Sequence, residues 1–140
     1  METVVIIFAS DSPEAKAQAE ELHAALDPGR TAAMLVEGSR SSFTNLAAAD
    51  IVVLGGSKTA DIPPEFSEIV RASKGANLAG KTAAFFSPGP EKTSAKLRKA
   101  LRDSDISMFD DELVQRDSNR GAVRAWTERL LEFHRAKRHA

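Results

Sequence analysis

The sequence predicts an α/β fold: a five-stranded parallel sheet, strand order 2-1-3-4-5, with helices on both faces. Three observations predict it. Apolar runs alternate with helical patterns five times along the 140 residues. The runs are short and nearly continuous, as in Val4-Val5-Ile6-Ile7-Phe8 and Ile51-Val52-Val53-Leu54, which marks strands buried on both faces. Right-handed crossovers then leave few arrangements, of which this order is a common one.

Residues 3–9 read as the first strand. Residues 13–26 read as a helix: Pro13 suits the first helical position after a Ser12 cap, and Ala15, Ala19, Leu22 and Leu26 share a face. Asp27-Pro28-Gly29 stops it. Residues 32–36 form the second strand, 38–42 a loop and 43–48 a short helix. The third strand, 50–54, closes at Gly55-Gly56, and Pro63-Pro64 opens a helix with Phe66, Ile69 and Val70 inward. Asn77-Leu78-Ala79-Gly80 is a turn before the fourth strand, 81–86, which ends at Ser87-Pro88-Gly89-Pro90. A helix with Leu97 and Leu101 leads to a weaker fifth strand at 106–109. The last helix, 119–138, carries Val123, Trp126, Leu130 and Phe133 on one stripe, and its basic end suits the helix dipole.

Length and composition predict one domain over 1–140, able to bury about 70% of its unfolded surface without staples. A net charge of −1 gives no field toward nucleic acid or acidic membranes. The absence of cysteine removes disulfides, thiolate metal sites and cysteine nucleophiles, and favours the cytoplasm. No run approaches the ~20 apolar residues of a membrane span. His23, His134 and His139 lack metal-site spacing and read as solvated helix residues. The acidic run Asp110-Asp111-Glu112 reads as a solvated loop.

The first strand-to-helix turn, Ala9-Ser10-Asp11-Ser12-Pro13-Glu14, stands where a phosphate docks in open α/β sheets, on free amides at a helix N-terminus. This turn has no glycine, but it has two carboxylates and a proline. Proline lacks an N–H, and a capping Ser12 consumes another. A carboxylate about 5 Å from a unit negative charge costs roughly 3 kcal/mol at an effective dielectric of about 20. The helix N-terminus returns about 0.3–1 kcal/mol, at most ~2. Repulsion wins if Asp11 and Glu14 face the site, and vanishes if they face water.

Three segments resemble the flavodoxin-like family, across nearly the whole chain. Ala49-Asp50-Ile51-Val52-Val53-Leu54-Gly55 through Ile62-Pro63 resembles the family's third strand and its loop. Leu78 to Ser87 resembles the fourth strand with its Gly-Lys lead-in, and Ala125-Trp126-Thr127 is the third segment. The chain is of the short type, without the insertion that splits strand five in long flavodoxins. The resemblance implies flavin mononucleotide (FMN) held by loops at the carboxyl ends of strands one, three and four. With it comes electron transfer, or reduction of a small partner such as a quinone. Carried over residue by residue, the cofactor-binding candidates are Ser10, Asp11, Ser12, Gly56, Ser57, Lys58, Thr59, Ser87 and Gly89.

The loops depart from the family's pattern. Proline replaces the first loop's glycine, and Thr59 stands where an aromatic stacks on the flavin. The chain has no tyrosine, and its one tryptophan is on the last helix. The expectation is therefore a divergent member without tight FMN binding, serving as a binding or protein-interaction module for a protein or small-molecule partner. A homodimer through the Trp126 helix is a further expectation. The alternative is an FMN electron carrier or small-quinone reductase. Receiver-domain chemistry needs an aspartate ending strand three and a lysine ending strand five; Gly55 and Phe109-Asp110 stand there instead. No Gly-x-Ser-x-Gly elbow supports hydrolase chemistry.

Overall fold

The computed structural model describes residues 1–56, 59, 61–117 and 119–138, apart from the side chains of Asp117 and Arg138. The strands are β1 (Glu2–Phe8), β2 (Thr31–Glu37), β3 (Ile51–Gly55), β4 (Thr82–Ser87), β5 (Ser107–Met108) and β6 (Leu113–Val114). The helices are α1 (Pro13–Ala25), α2 (Phe43–Ala48), α3 (Ser67–Lys74), α4 (Ala95–Leu101) and α5 (Arg120–Arg138). Short 3-10 turns occupy Gly38–Arg40 and Pro64–Phe66.

All pairings are parallel, and the path across the sheet is β2-β1-β3-β4-β5, the expected order. β6 also pairs with β4, further along it. The fifth strand expected at 106–109 is thus two short pieces. Phe109 still donates its amide to the Ala83 carbonyl, but three consecutive carboxylates then interrupt the ladder. Two of them point outward, Asp110 to Arg98 and Asp111 to Arg129. Glu112 turns inward and is buried, which corrects its reading as part of a solvated loop.

Because side chains alternate along a strand, each strand feeds two cores. Val4, Ile6 and Phe8 join Ile51, Val53, Ala84 and Phe86 beneath α1 and α5. Val5 and Ile7 join Val52, Leu54, Ala83 and Phe85 beneath α2, α3 and α4. The α1 face is the expected one, with Gln18 added; its amide donates to the Leu113 carbonyl at 3.4 Å. Trp126 is 1% exposed and donates its indole N–H to the Asp111 carbonyl at 2.6 Å, so its ring is core.

His134 is also a correction. It is 1% exposed, with Nδ1 2.8 Å from Thr82 Oγ1. The stripe that buries Trp126 and Leu130 continues through His134, which outranks Phe133 as its last fully covered member. His23 is exposed as expected, and His139 lies outside the described residues. No helix of the described residues is long and apolar enough to cross a membrane.

Candidate functional site

Parallel strands put all their β-to-α loops at one end of the sheet, and the crevice opens where the strand order reverses, between β1 and β3. An open cleft of about 400 Å³ lies there. It is lined by Asp11, Ser12, Pro13 and Glu14 from the loop after β1, and by Thr59, Asp61, Ile62 and Pro64 from the loop after β3.

The first loop closes on itself. Ser12 is buried and caps α1: its hydroxyl accepts the Ala15 amide at 3.1 Å and donates to Glu14 at 3.4 Å. The Ser12 amide donates to the Ala9 carbonyl at 3.3 Å. Pro13 has no amide to give. The Ser10 amide donates to Glu65 Oε1 at 2.6 Å, and the Ser10 hydroxyl accepts the Ser39 amide at 2.8 Å. The Ser10, Ser12 and Ala15 amides are thus engaged within the chain. Asp11 and Glu14 both line the cleft, Asp11 exposed and Glu14 half-buried.

Across the cleft, Thr59 is exposed and its hydroxyl accepts the Asp61 amide at 3.4 Å. Asp61 pairs with Lys96 of α4 at 2.6 Å; that hydrogen bond and charge hold the Asp61 carboxyl below the usual carboxylate range. The candidates Ser57 and Lys58 lie outside the described residues. Gly56 is buried, and its amide donates to the Phe86 carbonyl at 3.3 Å. Its neighbour Gly55 is required by packing: a Cβ there would overlap the Phe86 ring. Gly55 thus serves the close approach of β3 and β4.

The third loop is held from beneath by Glu112. Its carboxylate accepts hydrogen bonds from the Ser87 and Ser94 hydroxyls, and from the Thr93 amide at 3.0 Å. Arg98 stands 3.8 Å away and also reaches the Phe109 carbonyl at 3.2 Å. The candidate Ser87 is therefore fully buried and committed. Gly89 is half-buried and accepts the Gln115 amide at 3.2 Å, while its flanking prolines carry no donor. The structure thus brings Ser10, Asp11, Ser12 and Thr59 to the cleft or its rim and sets Gly56 and Ser87 behind it. Sequence reasoning missed Glu65 and Glu112, the two carboxylates that organise these loops.

No family model and no curated protein matches this chain. Solved structures do. The chain is similar to a short-chain flavodoxin associated with a non-canonical PDU bacterial microcompartment, with a TM-score of 0.80, 14% identity, and coverage of 96% of this chain and 99% of that one. It is similar to flavodoxin 2 from Bacillus cereus (TM-score 0.76, 18% identity, 93% of this chain and 98% of that one). It is also similar to a Fusobacterium nucleatum flavodoxin bound to flavin mononucleotide (TM-score 0.73, 8% identity, 94% and 98%). The chain therefore has the flavodoxin-like fold. In the first loop the Ser10, Ser12 and Ala15 amides are engaged, the cleft is lined by three carboxylates, and the aromatic rings Phe85, Phe86 and Trp126 are buried in the cores.

Proposed function

We propose that this chain is a divergent flavodoxin-fold protein that does not hold FMN tightly and acts in the cytoplasm as a binding or protein-interaction module. Its working surface is the carboxyl end of the sheet, around the cleft between the loops after β1 and β3. The observation that carries this reading is the donor set of the first loop. With the Ser10, Ser12 and Ala15 amides engaged and Pro13 lacking one, a phosphate finds a depleted donor set and the Asp11 and Glu14 side chains beside it. Two such carboxylates at about 5 Å oppose a unit negative charge by roughly 3 kcal/mol each, more than a helix N-terminus returns. The partner is a protein, a second copy included, or a small molecule without a phosphate in the cleft. The balanced charge supplies no attraction toward nucleic acid or membranes.

A second reading has support of its own. A cleft of about 400 Å³ opens at the switch point of a fold shared with an FMN-bound flavodoxin. Under it the chain is an FMN electron carrier or small-quinone reductase. Absorbance of concentrated purified protein, followed by titration with added FMN, separates the two. The module reading expects a colourless protein and no saturation at high micromolar FMN. A yellow protein, or saturation below about one micromolar, supports the second reading; about −8 kcal/mol of binding is then available at the loops.

A further inference from the structure

The 3-10 turn begun at Pro64 delivers one side chain into the meeting point of three loops. Glu65 Oε1 takes the Ser10 amide at 2.6 Å across 55 residues of sequence. The same carboxylate lies against Gly38: a Cβ at position 38 would overlap Glu65 Oε1 and come 2.9 Å from Phe66 Cε1. Beside it the Ser39 amide donates to the Ser10 hydroxyl at 2.8 Å. Glu65 therefore ties the loops that follow β1, β2 and β3. Among the described residues no lysine or arginine pairs with it.

We infer, on the reading just given that the cleft does not hold FMN tightly, that Glu65 is the first loop's own anion: a latch whose carboxylate takes the Ser10 amide and denies it to a phosphate from outside. A charged acceptor makes the stronger kind of hydrogen bond to an amide. Being part of the chain, it also loses no translational freedom in making it, whereas a free anion must. An arriving phosphate meets an engaged donor and a like charge together. Asp11 and Glu14 line the cleft and repel a ligand there, and Glu65 holds the loop.

The test titrates wild-type, Glu65→Gln and Glu65→Ala proteins with FMN and, separately, with inorganic phosphate. Flavin fluorescence reports the first, and the Ser10 amide resonance in ¹⁵N-correlated spectra reports both. The latch requires that the wild-type Ser10 amide stay still at millimolar phosphate. In Glu65→Ala the same amide should move with phosphate, and FMN should bind at least tenfold tighter than to wild type. Glu65→Gln, which keeps the volume and removes the charge, should fall between, and it carries the test should Glu65→Ala fail to fold. If folded variants bind phosphate and FMN no better than a non-binding wild type, the latch is wrong while the module reading survives. Submicromolar FMN binding by the wild type overturns both.

Discussion

Two carboxylates hold the two sides of the sheet's carboxyl end, and they do so differently. Glu112, under the loop after β4, has a side chain 3% exposed, with two hydroxyls, an amide and the Arg98 guanidinium around it. Glu65, under the loop after β1, is half-buried, takes one amide, and rests against Gly38 without a cation among the described residues. A buried charge is tolerated only when paired and hydrogen-bonded, so Glu112 belongs to the permanent architecture. A half-exposed carboxylate with water at hand can leave its single amide at small cost. The third loop is thus built to stay, and the first is built to be held shut.

Removing Glu112 is the most direct way to break this comparison. Glu112→Ala strips the acceptor from the Ser87 and Ser94 hydroxyls and the Thr93 amide and removes the buried partner of Arg98, which keeps Asp110 and the Phe109 carbonyl. The expected loss is about 3–5 kcal/mol in urea unfolding. Glu65→Ala is expected to cost about 1 kcal/mol, because water replaces the acceptor at Ser10. Equal losses for the two variants would show that Glu65 is structural in the same sense as Glu112.

A smaller effect sharpens the geometry at Glu65. Gly38→Ala places a methyl against Glu65 and Phe66, and overpacking of this kind costs about 1–3 kcal/mol. In the Glu65→Ala background part of that cost should disappear. Contacting residues couple by about 0.5–3 kcal/mol in such a cycle. Strict additivity of the two substitutions would place the strain on Phe66 alone and loosen the proposed tie between the loops after β2 and β3.

The contrast also explains what was readable in the sequence. Strand order, the inward face of α1 and the Ser12 cap all follow from local signals: alternation, helical spacing, and a serine before a proline. The cap was also the part of the candidate site that could be read, because it joins residues three apart. Glu65 and Glu112 could not be found that way. Their partners lie 55 and 18–25 residues distant, and an acidic residue in a charged run reads as solvated until the sheet brings hydroxyls and amides to it. His134 is a different case. Its position four residues beyond Leu130 places it on the apolar stripe of α5, so periodicity carried the signal and the polarity of the side chain hid it. The cleft itself was legible from topology, but that Asp11 and Glu14 line it was not, since either rotamer suits a helix start.

The far end of the sheet supplies the control with the smallest expected effect. Glu2, at the start of β1, accepts the Arg135 guanidinium of α5 at 2.8 Å, with side chains 10% and 33% exposed. The Arg135 hydrogen bond, outweighing the desolvation that acts the other way, holds the Glu2 carboxyl below its ordinary value of 4.5, and raises the guanidinium in turn. A carboxyl depressed in the folded state contributes stability that is fully present above its unfolded pKa. That contribution is lost as pH falls through the folded value. The neutral-pH stability of Arg135→Met should therefore drop by about 1 kcal/mol or less, given the exposure of the arginine and screening by salt. Its stability should also fall less steeply than wild type below about pH 4.5, because the variant has less of this contribution to lose. Neither change should alter the Ser10 amide or any binding at the cleft, since the pair lies at the opposite ends of the strands from Glu65. A shift of the Ser10 resonance in Arg135→Met would mean that the two ends of the sheet communicate, and that the latch answers to more than its three loops.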